Sequence, residues 1–191
     1  MKKTLGILTA LALCLLALCA CGGTAENAGT GGEEAAEAPA YTVETYGNLS
    51  YELPSGFTKS ETDDTSYEAN GMVMHIIDYS YPDGGDFSVT VNVTTLSEYM
   101  GLSPADYAQR ALDMFRDNLP NAEEKALADG TVVIVGNKDN QGALNTDNLY
   151  LLSAEDTVAC FEFVGPIGET ETPEMDAEFD HLLSTLTVSA E

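Results

Sequence analysis

Basic residues are the scarcest feature of this 191-residue chain: seven Lys and Arg stand against 32 Asp and Glu, a formal net charge of −25. Two of the seven, Lys2 and Lys3, precede Cys21, whereas every acidic residue follows it, so beyond that point five cations face 32 anions, a net −27. A polyanion of this density is repelled by nucleic acid and by anionic lipid headgroups, and neither is expected as a partner. Cationic ligands, divalent metals and basic protein surfaces remain open. The simplest reading of the acidity is that it keeps the domain soluble.

Cysteine is almost missing from the body of the chain. Cys14, Cys19 and Cys21 crowd the first 21 residues and only Cys160 lies beyond them, so no disulfide can form within the part after Cys21 if Cys21 is otherwise engaged. Cys160 sits in Thr157-Val158-Ala159-Cys160-Phe161-Glu162-Phe163-Val164, too apolar for a surface loop and without a basic neighbour to activate a thiol. A buried, inert core thiol is expected.

Catalytic signatures are missing too. There are two histidines, His75 in a strand pattern and His181 in a helical one. No Gly-x-Ser-x-Gly elbow, His-Glu-x-x-His, Cys-x-x-Cys or phosphate-cradling glycine loop accompanies them. Both are expected to be structural, and the sequence designates no catalytic residue, cofactor or metal ligand. Asn137-Lys138-Asp139-Asn140-Gln141-Gly142 has the alternating oxygen residues of a calcium loop, but its twelfth position is Asn148 where a bidentate Glu is needed. A hairpin loop is the better reading. Asp83-Gly84-Gly85-Asp86 likewise reads as a turn. Glu162, between Phe161 and Phe163, is the one oddity with a functional flavour. Its carboxylate must reach solvent or a partner, or have its pKa raised by burial.

The N-terminus is rich in signal. Lys2 and Lys3 precede an apolar stretch from Leu5 to Leu18, the length of a signal-peptide h-region. A retained span needs roughly 20 apolar residues and basic flanks, whereas Gly22, Gly23 and an acidic segment follow here. Leu18-Cys19-Ala20-Cys21 resembles the lipobox of bacterial lipoproteins, with Leu18 at −3, a small Ala20 at −1 and Cys21 as the acylated residue. Cys19 is a poorer attachment point, since Leu18 would then fill the small position. Residues 1–20 are thus expected to be a lipoprotein signal peptide, with Cys21 the lipid-attachment site. Residues 21–40 form a flexible acidic linker that lacks the apolar surface to fold and spans roughly 25 Å as a coil.

Residues 41–191 read as one globular α+β domain. Strands are expected over 41–46 and 49–53, joined by Gly47-Asn48, then a polar hairpin of 58–61 and 65–68 turning at Asp63-Asp64. A hairpin of 72–81 and 87–95 follows, turning at Pro82-Asp83-Gly84-Gly85, with Phe87, Val89, Val91 and Val93 alternating against polar neighbours. Ser103, Pro104 and Asp106 announce a helix with a capping box, the apolar stripe Ala108, Ala111, Leu112, Phe115 and Leu119, and an outer Asp106–Arg110 pair. The stripe reads as core packing. Strands return over 124–128, 131–135, 148–152 and 157–164, the last apolar on both faces. Thr172 and Pro173 open a second helix with Met175, Phe179, Leu182, Leu183 and Leu186 on one side. A strand buried on both faces needs layers on both sides, so the expectation is a largely antiparallel sheet sandwiched between two helices.

The order of parts resembles the PsbP-like superfamily, which includes bacterial lipoproteins similar to DcrB. The resemblance is carried by Gly47-Asn48-Leu49-Ser50-Tyr51-Glu52-Leu53 running into Pro54-Ser55-Gly56-Phe57, the hairpin of 72–95, the helix from Ser103, three further strands and the closing Phe179-Asp180-His181-Leu182-Leu183-Ser184-Thr185-Leu186. It implies a three-layer α/β/α sandwich serving as a non-catalytic binding or accessory module, with no shared active site. The expected function is therefore a lipid-anchored, extracytoplasmic bacterial lipoprotein, held to the membrane through Cys21, whose partner is an envelope protein or a cationic ligand. A binder or sensor of divalent cations or cationic solutes is the alternative. An envelope hydrolase is the second, with Glu162 and His75 as its only hints.

Overall fold

The computed structural model describes residues 40–80, 87–119, 121–139, 145–165 and 172–190. The signal peptide, Cys21, the linker to residue 39 and the turns at 82–85 and 140–144 lie outside the described residues. Among the described residues, ten strands, two α-helices and a short 3-10 turn form a mixed α+β fold dominated by a large antiparallel sheet.

β1 (Tyr41–Tyr46) and β2 (Leu49–Pro54) make the predicted hairpin, in register from Tyr41 with Pro54 to Tyr46 with Leu49. Gly47 turns it at φ +56°, a conformation that favours glycine. The sequence predicts one sheet, but the chain forms two. After the second helix a short β10 (Thr187–Val188) adds to the free edge of β2, and Ser189 N–H donates to Asn48 C=O at 2.9 Å, which completes a three-stranded sheet β1-β2-β10. Two residues of strand leave no periodic signature in a sequence.

The larger sheet has the order β3-β4-β5-β9-β8-β7-β6, with every neighbouring pair antiparallel. Its strands are β3 (Thr58–Asp64), β4 (Met72–Ser80), β5 (Ser88–Leu96), β6 (Glu123–Ala126), β7 (Val132–Asp139), β8 (Asn145–Ala154) and β9 (Thr157–Val164). The polar hairpin expected at 58–68 is not there. Asp63 and Asp64 are the last residues of β3, paired with His75 and Met74, and the turn comes later, where Asp64 Oδ1 accepts the Ser66 N–H at 2.8 Å. β3 is an edge strand, where charged side chains are the common protection against pairing with other chains. That is why it looks like loop in the sequence. The calcium-loop residues Asn137, Lys138 and Asp139 belong to β7, which pairs back onto β8 as a hairpin.

α1 (Pro104–Asn118) and α2 (Pro173–Thr185) begin where their caps predict. Ser103 Oγ accepts the Asp106 N–H at 3.2 Å, and Thr172 Oγ accepts the Met175 N–H at 3.2 Å. The Asp106 carboxylate completes the box by taking the Ser103 hydroxyl at 2.6 Å. The expected Asp106–Arg110 pair gives way to Arg116, which binds Asp113 at 3.1 Å and Glu124 at 2.7 Å and so ties α1 to β6.

Side-chain alternation divides the large sheet into two faces. On one, Ile77, Tyr79, Val89, Val91, Val93, Leu149, Leu151, Ala159, Phe161 and Phe163 are buried with Leu49, Tyr51 and Leu53 of β2 and Met175, Phe179, Leu182 and Leu186 of α2. Burying side chains of this size stabilises by about 1.5–3 kcal/mol each. α2 itself packs on β2. On the other face α1 lies over β5, β8 and β9, where Leu96, Ala108, Leu112, Leu119, Ile134 and Val158 form a smaller core.

Candidate functional site

The face of the large sheet under α1 is only partly covered. Register places Ile76, Asn92, Cys160 and Tyr150 side by side across β4, β5, β9 and β8, with Met74, Thr94 and Val158 in the row on one side. On the other side lies a wholly polar row, Asp78, Thr90, Glu162 and Asn148. α1 crosses the β5, β9 and β8 portions and leaves the β4 portion open. The result is a groove of about 860 Å³. Its floor is Met72, Met74 and Ile76 from β4, Asn92, Thr94 and Leu96 from β5, Val158, Cys160 and Glu162 from β9, and Tyr150. Its wall is α1, through Tyr107, Arg110, Ala111, Asp113, Met114, Phe115, Asp117 and Asn118. A largely apolar concavity with a few polar groups is the usual form of a small-molecule site.

Local packing fixes the wall. The Phe115 ring stacks on Tyr150 at 4.2 Å, and Tyr107 stacks on Tyr99 at 5.5 Å. Tyr150 is half-buried, and its hydroxyl pKa is pushed well up, first by burial and then by the neighbouring Cys160 thiol, to which it is hydrogen-bonded, and by the Glu162 charge. The hydroxyl therefore stays protonated and is a hydrogen-bond donor, not a base.

Cys160 is not the buried core thiol expected from its sequence. It is half-buried and faces the groove, because the alternation of β9 puts Ala159, Phe161 and Phe163 into the sealed core and turns Val158, Cys160 and Glu162 toward α1. The apolar run that suggested burial on both sides is covered fully on one side alone. Glu162 reaches the groove as well. Among the described residues it forms no hydrogen bond or ion pair: the hydroxyl of its neighbour Thr90 donates to Asp78 at 2.8 Å, and Asn148 Nδ2 donates to Thr146 C=O at 3.2 Å and to Thr146 Oγ1 at 3.1 Å. The helical stripe read as core does build the small core under α1, yet Ala111 and Phe115 serve the groove at the same time.

The histidines lie elsewhere. His75, an odd-numbered residue of β4, faces away from the groove, stacked on Tyr46 at 4.5 Å with Nδ1 2.6 Å from Asp63 Oδ1. It shares no cleft with Glu162. His181 of α2 stacks on Tyr41 at 3.7 Å and meets Glu52 Oε2 through Nε2 at 2.9 Å, which fastens α2 to the β1–β2 hairpin. Close by His75, Tyr51 and Tyr79 join hydroxyls at 2.9 Å, Tyr79 donates to Glu44 at 3.3 Å, and Lys59 bridges Glu44 and Glu61. Burial pushes the Tyr51 hydroxyl up to about 12 and Tyr79 upward as well.

A second, smaller cavity of about 290 Å³ opens between β6, β7, β8 and α2, lined by Glu123, Lys125, Asn137, Asp147, Asp176 and Asp180 among others. Asp147 Oδ1 accepts from Asn137 Nδ2 at 3.2 Å, and its pKa is raised, first by burial and then by Asp176 and Asp180. No group of three or more metal-ligating side chains among the described residues has the geometry to hold a metal ion, and no helix among them is long and apolar enough to cross a membrane.

The sequence pattern locates Glu162 and Cys160 but gives little sign of a groove, because β4 contributes half-buried Met and Ile side chains that read as ordinary core. The only signal was the alternation in β4, whose even-numbered residues Met72, Met74 and Ile76 are as apolar as its buried odd ones. No known protein family matches the chain, and no curated protein matches it in sequence.

Proposed function

We propose that this chain is a lipid-anchored, extracytoplasmic bacterial lipoprotein whose domain is a non-catalytic binding module, with the groove between α1 and β4 as its binding surface. The groove carries this reading. It is large, mostly apolar and open along one side. Among the described residues its lining holds no histidine, and burial keeps the proton on the Tyr150 hydroxyl. The two half-cores on opposite faces of the large sheet are compatible with a three-layer, PsbP-like arrangement in which the small sheet shares one outer layer with α2. Support for the anchor is the Leu18-Cys19-Ala20-Cys21 box behind a basic, then apolar, leader.

Two measurements test the halves of this reading. Metabolic labelling with a fatty acid, followed by membrane fractionation, should find label on the native chain and none on Cys21→Ala. A labelled Cys21→Ala variant overturns the anchor. Groove binding should be abolished by bulk placed on its wall, as with Met114→Trp at a position 54% exposed to solvent. Retained binding in that variant overturns the site.

A further inference from the structure

We infer that the groove takes an amphiphilic cation, an extended apolar chain ending in a positively charged head that meets Glu162; this rests on the groove being the binding surface. The floor has a direction. Met72 is paired with Leu96, Met74 with Thr94 and Ile76 with Asn92, each pair one step further along β4 and β5, and Glu162 is the only lining residue from the polar row beyond. The polarity thus rises from Leu96 to a carboxylate over six residues of β5, a length of roughly 20 Å at about 3.4 Å per residue. That is room for an extended alkyl chain. Met72, Met74 and Met114 give the apolar part adaptable, polarisable walls that do not demand one shape.

The charge at the far end selects the head. Glu162 is half-buried and engages no described residue, while its oxygens still reach solvent, so a positive head placed over it gains a charge-assisted contact in a partly desolvated setting, worth more there than at an open surface. Asp113 and Asp117 add two carboxylates on the wall. Among the described lining residues the one cation is Arg110, which is exposed and has Asp106, Asp113 and Asp117 within two turns on its own helix, while Arg116, outside the lining, already binds Asp113. An anionic head would therefore meet a net negative rim on a domain that is itself a polyanion. A neutral head would leave Glu162 facing the ligand without a partner, a cost that discriminates against it.

Three probes of equal chain length decide the matter: dodecyltrimethylammonium, dodecyl maltoside and dodecanoate, each titrated calorimetrically below its micellar concentration into the purified protein. The expected result is one saturable site for the ammonium, at least about tenfold tighter than for the maltoside, with dodecanoate weakest. Glu162→Gln, nearly isosteric, should erase the advantage of the ammonium by weakening the ammonium and tightening the maltoside, and Met114→Trp should weaken both. If the maltoside binds as tightly as the ammonium and responds to Met114→Trp, the groove stands and the cation is overturned. The same holds if Glu162→Gln leaves the ammonium untouched at a site that Met114→Trp blocks. If no probe saturates, or Met114→Trp changes nothing, the groove itself is overturned.

Discussion

On the face of the large sheet turned toward β2 and α2, Ile77, Phe161 and Leu149 are wholly removed from water, whereas one residue along the same strands Ile76, Cys160 and Tyr150 stay half-exposed. The backbone is shared and the side chains are of similar apolarity, so the difference lies in what covers them. The first face is covered by a hairpin strand and a helix that turn Leu49, Tyr51, Leu53, Met175, Phe179, Leu182 and Leu186 onto it. The second has a single helix across part of its width. A sheet covered on one side by two elements and on the other by one leaves its open side available, and the stability of the fold can rest on the sealed side while the open side varies.

The sharpest test of that division sets Phe161 against Cys160, adjacent residues on opposite faces. Phe161→Ala removes a ring packed edge-on to Tyr51 at 4.9 Å and should cost about 3–5 kcal/mol. Cys160→Ala should cost about 1 kcal/mol or less, since a half-exposed side chain leaves a gap that water can enter. Urea denaturation of both reads the difference directly. Equal losses would mean that the groove is core and that the two faces are equivalent.

The next test uses protons. Tyr51 and Tyr79 share a hydroxyl contact on the sealed face, and both have pKa values raised above the ordinary 10. Between that value and the folded one, the unfolded chain releases protons that the folded chain holds, so stability is intact below about pH 10 and falls as pH rises. A shift of Tyr51 to about 12 makes its share of the loss about 2 kcal/mol by pH 12. Tyr51→Phe should flatten the alkaline limb of stability against pH in urea melts. An alkaline limb left unchanged by Tyr51→Phe would mean that the Tyr51 hydroxyl gives up its proton in the folded chain as readily as in the unfolded one.

Much of the sealed face could be read in advance. The alternation of Phe87, Val89, Val91 and Val93, the stripe of α2 and the caps at Ser103 and Thr172 are local patterns with one physical solution. What escaped is what depends on partners far apart in the chain. β3 reads as loop because edge strands carry charge, and β10 is too short to show a period. Cys160 reads as core because its sequence neighbours are apolar, while its exposure is set by how much of that face of the sheet α1 covers. The groove is likewise a property of incomplete coverage, and no single segment encodes a gap.

The smallest expected effect lies where the sealed face ends. Asp147 occupies an odd position of β8, in register with Phe163, and so belongs to the sealed side although it is ionisable. Burial raises its pKa, and Asp176 and Asp180 of α2 add to the shift. Glu123 and Lys125 of β6 face the same small cavity. A carboxyl whose folded pKa is raised costs nothing while protonated in both states. As pH climbs past the ordinary value near 4, the unfolded chain ionises first and stability falls until the folded pKa is passed. At neutral pH the full penalty remains. Asp147→Asn keeps an oxygen to accept from Asn137 and removes the charge that α2 repels. It should therefore raise stability at pH 7 by no more than about 1 kcal/mol, and the gain should vanish below about pH 4. Paired urea melts at the two pH values measure it. A variant less stable at pH 7 would mean that the charge is held by a partner in the small cavity, and that the sealed face of the sheet carries a polar site of its own.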